Sequence, residues 1–330
     1  MILVGDVGGT KTSLGLFSCR NGHTDLVARR TFASTAYSGL QSMVAEFLPD
    51  RTQVRGACFG VAGPVTEGRA EVTNLDWSLA SDALAEELEL HDVTLINDLV
   101  ATGYGIAALG HEDFLELNKG QDVAPANAVV IAAGTGLGGC ILHWTGQGYV
   151  PVAAEPGHAD FAPYDDLSAE MCTYLRRQFG FSNVERILSG SGLFNIYSFL
   201  RDAGYEKETP SIAKRMQDRD PAAVITEAAA AMECALCSRT LHVFVASYGA
   251  EAGNFALRAM AMGGVYLAGG IARKILDSLK SGLFIETFVN KDRLSALLAR
   301  IPVRVILNEN APLFGAVRYQ LQRPNLTQPV

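Results

Sequence analysis

The chain has 330 residues, which is long for a single hydrophobic core, so its length predicts two domains. Hydrophobic residues make up 48% of it, a proportion typical of folded rather than disordered chains. The formal net charge of −8 argues against non-specific binding to nucleic acids or anionic membranes. An anionic ligand would therefore have to be held by local groups, such as backbone N–H groups, helix termini or a metal ion.

The six cysteines are widely spaced, and the opening sequence MILVGDVGG lacks the basic segment and cleavage site of a secretory signal. No apolar run approaches the ~20 residues that a membrane-spanning helix needs. The pattern predicts reduced thiols in a cytoplasmic protein without a membrane segment. Cys234 and Cys237 form a CxxC pair in an Ala-rich stretch, where two small buried side chains on one helix face are expected rather than a metal site.

Strands and helices alternate along the first third of the chain, which is typical of an α/β protein. Two of the predicted strands flank the glycine-rich turn GGTKT, so the chain opens as strand, turn and strand. The predicted elements are, in order, strands at 2–7, 13–18 and 55–61, a helix at 78–90 with Ser78 as its N-cap, a strand at 93–97, and a helix from Asp98 to about Leu109.

A second strand, glycine turn and strand begin at residue 128 with AVVIAAGTGLGGCILHW, which repeats the opening pattern. This weak self-similarity predicts two related halves around one cleft. The later predicted elements are Ala-rich helical residues at 222–262, a strand, glycine turn and helix at 263–276, a strand at 303–307, and a helix from about Pro312.

Two glycine segments come close to known nucleotide-binding patterns, but neither leads into the required helix. GDVGGTKT at 5–12 has Thr10 where a P-loop has its second glycine, and a strand follows. GTGLGG at 134–139 has GxGxxG spacing but also leads into a strand, whereas a dinucleotide-binding fold opens a helix there. Such turns still let backbone N–H groups approach phosphate oxygens, with threonine hydroxyls as further donors. An ordinary tight turn is the alternative for each loop alone, and the loops together favour phosphate binding.

The glycine loops DVGGTK (6–11), AGTGLG (133–138) and LAGGI (267–271) resemble the phosphate-1, phosphate-2 and adenosine loops of the actin-like ATPase and sugar kinase superfamily. Three further segments closely resemble the bacterial glucokinase family: IND (96–98), EPGHADFAP (155–163) and ERILSGSGL (185–193). The six motifs follow the family's order between residue 3 and about residue 320. A related repressor/kinase family carries a Cys-rich zinc motif after its ExGH segment. Nothing of that kind follows His158, which favours the zinc-free glucokinase group.

The resemblance implies two ribonuclease-H-like α/β domains that flank a central cleft with the active site. A small domain would cover 1–108, completed by a C-terminal helix at 309–330, and a large domain would cover 109–308. The implied reaction is ATP-dependent phosphorylation of glucose at its 6-hydroxyl, with ATP and Mg²⁺ bound on the glycine loops. The implied nucleotide-binding residues are Gly5, Asp6, Val7, Gly8, Gly9, Thr10, Gly134, Thr135, Gly136, Gly269 and Gly270.

Asp98 is the predicted general base, because it lies where a strand ends and a helix begins, the usual crevice position in open α/β sheets. A helix N-terminus also favours a negative charge. The alternative is that Asp98 only caps its helix, and the resemblance of the IND segment favours the base. Asn97 offers a donor and an acceptor to a sugar hydroxyl, with an ordinary turn residue as its alternative.

Three further residues are predicted to bind sugar. Glu155 and His158 flank Pro156-Gly157 in a loop, where a carboxylate and an imidazole can bind neighbouring hydroxyls. A metal site at His158 would lack further ligands at suitable spacing. Glu185 ends an SxxE pattern that is typical of a capping box, so helix capping is its alternative, whereas the resemblance implies sugar binding.

Asp6 is the predicted metal-linked residue, because the family uses an aspartate at this position near Mg²⁺, often through water. Its alternative is a buried aspartate bonded to the adjacent turn. Lys11 replaces the asparagine found in many members of this glucokinase group. Contact with phosphate and simple solvation both stay open for this lysine.

The expected partners are glucose and ATP, with no nucleic acid or membrane, and a homodimer is the family expectation. The alternatives are a kinase for mannose, fructose or an N-acetylhexosamine, and a phosphoryl donor such as ADP or polyphosphate. A non-catalytic sugar sensor is a further alternative, opposed by the lack of an N-terminal helix-turn-helix and by the negative charge. An ATPase of the actin or chaperone type would leave the EPGH and ERILSG segments without a purpose.

Overall fold

The computed structural model describes residues 1–20, 23–50, 53–72, 75–121 and 125–323. Within these ranges the strands are β1 (Ile2–Val7), β2 (Lys11–Arg20), β3 (His23–Ala33), β4 (Gly56–Val61), β5 (Val65–Thr66), β6 (Arg69–Glu71), β7 (Ser78–Ala80), β8 (Val93–Asn97), β9 (Phe114–Asn118), β10 (Ala128–Ala133), β11 (Leu137–Trp144), β12 (Tyr149–Ala154), β13 (Gly264–Ala268) and β14 (Val303–Ile306). The helices are α1 (Leu40–Phe47), α2 (Ser81–Glu87), α3 (Asp98–Gly105), α4 (Asp166–Phe179), α5 (Gly190–Asp202), α6 (Pro210–Asp218), α7 (Pro221–Ala230), α8 (Ala235–Ala259), α9 (Gly269–Lys274), α10 (Leu276–Lys280), α11 (Leu283–Val289), α12 (Ser295–Leu298) and α13 (Ala311–Leu321).

The chain forms two compact units. One comprises Met1–Asp113, Tyr149–Ala153 and the chain from Asn308 onward, and the other comprises Phe114–Gly148 and Ala154–Leu307. The sequence-based boundaries at 108/109 and 308/309 stay a prediction. Residues 324–330 of the predicted C-terminal helix lie outside the described residues.

The first unit is built on a five-stranded sheet with the order β3-β2-β1-β4-β8. Strand β1 is antiparallel to β2 and parallel to β4, and β4 is parallel to β8. The β1–β2 pairing ends at Val7 and Thr12, so residues 8–11 form the turn. Parallel strands β1, β4 and β8 consist almost wholly of buried residues, as expected for a sheet covered on both faces.

The second unit repeats this arrangement with β10 as its central strand. Strand β10 is antiparallel to β11 and parallel to β13, which is parallel to β14, and β9 pairs antiparallel with β14. The β10–β11 pairing ends at Ala133 and Leu137, so residues 134–136 form the turn. Each unit therefore has a glycine turn between antiparallel strands beside a parallel strand, which is the repeat that the sequence predicts.

Helix α13 packs in the first unit against α3, β1 and β4. Its Gly315 lies against the backbone of α3, where a Cβ atom would collide with the Ala101 carbonyl. The neighbouring Leu313, Ala316 and Val317 are buried with residues of β1 and β4. The C-terminal helix is thus part of the same unit as the N-terminal strands.

Two predicted helices differ from the observed ones. Ser78 does not cap a helix, because Ser78–Ala80 pairs with β6 and the helix begins at Ser81. The predicted helical stretch at 222–262 is broken into α7 and α8, and Met232 between them has a φ of 54°. All six cysteines are free thiols, and Cys234 serves as the N-cap of α8.

Among the described residues, no single helix is long and apolar enough to cross a membrane, and α7 with α8 passes that test only as a pair bent by 101°.

Candidate active site

The first glycine turn, residues 8–11, is held from inside by Ser34. The Ser34 hydroxyl donates to the Gly8 carbonyl (2.6 Å), and the Ser34 N–H donates to the Thr10 carbonyl (3.0 Å). The Ser34 and Thr12 hydroxyls lie 3.0 Å apart, and both residues are fully buried. Gly8 N–H donates to the Lys11 carbonyl across the turn (3.1 Å). The carbonyl groups of Gly8, Thr10 and Lys11 are thus engaged within the unit, while the Thr10 side chain is exposed.

Asp6 lies on β1 two residues before this turn and is half-buried. The preceding Gly5 packs so closely on Phe59 that a Cβ atom would lie 2.6 Å from the ring. Among the described residues there is no group of three or more His, Cys, Asp or Glu side chains arranged to hold a metal ion. In phosphoryl-transfer sites Mg²⁺ takes one or two carboxylates together with phosphate oxygens and waters, so a single aspartate beside the turn fits this ion.

Asn97 and Asp98 lie where β8 ends and α3 begins. Asn97 is the N-cap of α3: its Oδ1 accepts from the N–H groups of Leu99 (2.9 Å) and Val100 (3.2 Å). Its Nδ2 donates to the Gly63 carbonyl (3.1 Å). Asp98 is the first helical residue, and its Oδ1 accepts from Leu99 N–H (2.8 Å). The capping alternative for Asp98 is therefore wrong, since its neighbour occupies the cap position.

In the second unit, the EPGH loop is brought beside Glu185 by backbone pairing. Val184 N–H donates to the Ala159 carbonyl (3.0 Å), and Phe161 N–H donates to the Ser182 carbonyl (3.1 Å). This pairing places Glu185 close to Glu155 and His158 in space.

The capping-box alternative for Glu185 is also wrong. The short 3₁₀ turn Val184–Arg186 has Asn183 as its N-cap, and the Asn183 side chain accepts from Arg186 N–H (3.1 Å). The Glu185 carboxylate points elsewhere, because its Oε2 accepts from Leu137 N–H at the end of the second glycine turn (3.0 Å).

The second glycine turn, residues 134–136, is tied to the segment that begins at Glu185. Gly190 N–H donates to the Gly134 carbonyl (2.9 Å), and Gly134 N–H donates to the Gly136 carbonyl (2.9 Å). Ser189 caps α5 by accepting from Gly192 N–H (2.9 Å) and donates to the Glu185 carbonyl (2.7 Å). The turn and the start of α5 form one hydrogen-bonded unit, with Thr135 exposed.

The surroundings of Glu155 disfavour the charged form of its carboxyl. Burial of the Glu155 carboxyl raises its pKa, the negative charge of Glu185 raises it further, and His158 acts in the opposite direction. The backbone pairing of the EPGH loop with residues 182–184 brings the three predicted sugar ligands of this unit near one another.

Gly269 and Gly270 lie where β13 meets α9. Gly269 has a φ of 85°, and a Cβ atom there would collide with the Ala133 carbonyl just before the second glycine turn. Gly270 is exposed, and a Cβ atom would meet nothing within 4 Å. Only the first of these glycines is therefore required by the fold itself.

The structure thus places the predicted residues in two groups. The first unit holds Gly5, Asp6, Val7, Gly8, Gly9, Thr10, Asn97 and Asp98, and the second unit holds Gly134, Thr135, Gly136, Glu155, His158, Glu185, Gly269 and Gly270. Ser34, Asn183 and Ser189 have supporting roles that were not predicted from the sequence. A serine before a glycine-rich helix start is a recognisable N-cap signal for Ser189, whereas Ser34 lies 26 positions from Gly8 and gives no local signal.

Two sheets of this topology, each with a glycine turn beside its central parallel strand, define the actin-like ATPase fold of the sugar kinases. A model of the glucokinase family matches residues 3–323. A glucokinase of Synechocystis sp. is 40% identical over 95% of this chain and 96% of its own length.

Solved structures agree with this match. A glucokinase from an Antarctic psychrotroph superposes with a TM-score of 0.81 at 28% identity, covering 96% of this chain and 98% of its own. A glucokinase from Balamuthia mandrillaris, solved with glucose, has the same fold, with a TM-score of 0.80 at 22% identity over 96% of this chain and 92% of its own. The chain belongs to the glucokinase family and catalyses the ATP-dependent phosphorylation of glucose.

Proposed function

We propose that the phosphoryl group is transferred to the 6-hydroxyl of glucose with Asp98 as the general base. The observation that carries this proposal is the arrangement at the start of α3. Asn97 caps the helix there, and Asp98 is the adjacent half-buried carboxylate. The ordinary pKa of an aspartate side chain lies well below neutral pH, so an aspartate is ionised there and can accept a proton. General-base assistance of this kind contributes about 10²–10⁴-fold to the rate.

The proposed glucose ligands are Asn97, Glu155, His158 and Glu185. The Asn97 amide uses one of its two N–H hydrogens on the Gly63 carbonyl, so the other is available to a sugar hydroxyl. Glu155, His158 and Glu185 provide acceptors and a ring N–H that match the hydroxyl groups of a hexose. The glucokinase of Balamuthia mandrillaris was solved with glucose, which supports a glucose site in this fold.

ATP lies on the glycine turns, where backbone N–H groups and the exposed hydroxyls of Thr10 and Thr135 donate to phosphate oxygens. Asp6 would hold Mg²⁺ through water, and the bound ion would neutralise phosphate charge. Gly269 and Gly270 receive the adenosine part of the nucleotide. Lys11 is exposed at the end of the first turn.

The reaction is a direct transfer between two bound substrates, with Asp98 as the proton acceptor. The 6-oxygen of glucose attacks the γ-phosphorus, the hydroxyl proton passes to the Asp98 carboxylate, and the bond to the bridging oxygen of ADP breaks. ADP leaves with the electron pair of that bond, and the products are glucose 6-phosphate and ADP.

We further propose the organisation that the family resemblance implies, namely a cytoplasmic homodimer with domains at 1–108 plus 309–330 and at 109–308. Sedimentation analysis of the purified protein tests the dimer, and a mass near the 35.2 kDa of one chain would exclude it.

The test of the proposed reaction is ADP release from MgATP with glucose, mannose, fructose, N-acetylglucosamine, 6-deoxyglucose or no sugar. We expect turnover with glucose, and binding without turnover for 6-deoxyglucose, which lacks the acceptor oxygen. Turnover with 6-deoxyglucose would place the transferred group elsewhere. Faster turnover with another hexose would move the substrate assignment, and ADP release without sugar would identify an ATPase.

A further inference from the structure

One segment contacts the second glycine turn at both of its ends. The Glu185 Oε2 atom accepts from Leu137 N–H at the exit of the turn (3.0 Å), and Gly190 N–H donates to the Gly134 carbonyl at its entry (2.9 Å). Between these two points, the Ser189 hydroxyl donates to the Glu185 carbonyl (2.7 Å). The position of the turn is therefore fixed by the same segment that carries the Glu185 carboxylate.

Gly136 makes this arrangement sterically feasible. A Cβ atom at Gly136 would collide with Glu185 Oε2, the oxygen that accepts from Leu137 N–H. A Cβ atom at Gly134, in the same turn, would meet nothing within 4 Å. Neither glycine has the positive φ that would strain an alanine. The two glycines therefore differ chiefly in their contact with the carboxylate.

We propose that Glu185 couples the sugar to the nucleotide, with Oε2 holding the second glycine turn and the rest of the carboxylate facing the sugar. This inference rests on the proposed function, in which Glu185 binds glucose and the turn binds phosphate. It adds a role for Glu185 as a positioning residue for the turn, and a reason for glycine at position 136.

The charge of Glu185 sets the sign of the coupling. A carboxylate against a phosphate-binding turn repels phosphate oxygens, since like charges at short range disfavour each other. Sugar hydroxyls that donate to this carboxylate disperse its charge and fix its orientation. Glucose therefore strengthens nucleotide binding, and by linkage the nucleotide strengthens glucose binding by the same factor. The charge also disfavours ATP while the sugar site is empty.

The test measures the dissociation constant of glucose, without nucleotide and with saturating MgADP, for wild type, Gly136→Ala and Gly134→Ala. We expect a coupling factor of about 5 or more in wild type. Gly136→Ala should weaken glucose binding without nucleotide and bring the coupling factor close to 1. Gly134→Ala, the matched control, should keep the wild-type dissociation constant for glucose alone. Unchanged glucose affinity and coupling in Gly136→Ala would overturn the proposal.

Two Glu185 variants test the charge argument and the sugar-binding role separately. Glu185→Gln retains an acceptor for Leu137 N–H but removes the charge, so nucleotide binding without sugar should tighten several-fold. Unchanged nucleotide affinity there would contradict the charge argument. Glu185→Ala distinguishes a failure of the proposed function from a failure of the coupling. Unchanged glucose affinity in this variant would overturn sugar binding by Glu185 itself. If Glu185→Ala lost glucose affinity while Gly136→Ala behaved like the wild type, the assignment of Glu185 as a sugar ligand would stand. Only the coupling between sugar and nucleotide would then be overturned.

Discussion

The two glycine turns share a strand arrangement but differ in what supports them. The first turn rests on neutral groups, the buried hydroxyls of Ser34 and Thr12. The second rests on a carboxylate, that of Glu185, and on the N–H of Gly190. Two turns of the same topology can therefore differ in how substitutions in them affect ligand binding. A change at the first turn should alter nucleotide binding alone, whereas a change at the second turn that displaces the Glu185 carboxylate should alter sugar binding as well.

The largest of the effects that sharpen this comparison is expected at Gly269, which packs on the strand end just before the second turn. Alanine there meets the Ala133 carbonyl and must adopt a φ of 85°, so we expect destabilisation of about 2 kcal/mol or more. Chemical denaturation measures this loss, and Gly270→Ala is the control because its Cβ meets nothing within 4 Å. Equal stability of the two variants would contradict the packing argument.

A smaller effect is expected at the first turn. Ser34→Ala leaves the Gly8 carbonyl and the Thr12 hydroxyl without their partner, at a cost of about 1–3 kcal/mol. We expect KM for ATP to rise several-fold and the dissociation constant of glucose to stay unchanged.

The matched control is Ser13→Ala, which removes another hydroxyl pair of the same hairpin, Ser13 with Thr31 at 2.9 Å. It should leave KM for ATP unchanged. If Ser34→Ala weakened glucose binding as strongly as ATP binding, the contrast between the two turns would be lost.

The smallest effect is a pH dependence specific to the Glu155 cluster. Burial, and then the charge of Glu185, raise the pKa of Glu155, while His158 opposes them. A raised pKa in the folded state means that protonation stabilises the protein as pH falls, and that this contribution is lost as pH rises through the folded-state pKa. The neutral form is a weaker acceptor for sugar hydroxyls, so glucose affinity should fall several-fold towards acidic pH, beginning above the range of an ordinary glutamate.

Glucose titration without nucleotide, over a series of pH values, measures this dependence. Glu155→Gln removes the titrating group and should flatten the curve on its acidic side. An identical pH dependence in the variant would assign the titration to another residue.

The strands and glycine turns could be predicted from the sequence because their signals are local. Apolar runs on either side of a glycine turn located β1, β2, β10 and β11, and the two halves followed from the repeat. Ser78 was assigned wrongly because β6 pairs with residues 78–80, so tertiary pairing overrides a local helix signal.

The supports of the site could not be predicted in this way. Glu185 and Leu137 are 48 positions apart, and Ser34 and Gly8 are 26 apart, so only the fold brings each pair together. Glu185 also matched a local capping pattern that Asn183 satisfies instead. Asn97 and Asp98 were ambiguous for a similar reason, because both are good N-cap residues and the sequence does not show which one occupies the cap.

The most direct test of the account is single-turnover phosphoryl transfer by Asp98→Asn, with glucose and MgATP both saturating. The substitution keeps the size of the side chain and an oxygen for Leu99 N–H, but removes the proton acceptor. We predict glucose affinity close to wild type and a rate lowered by about 10²-fold or more. A rate within a few-fold of wild type would contradict Asp98 as the general base.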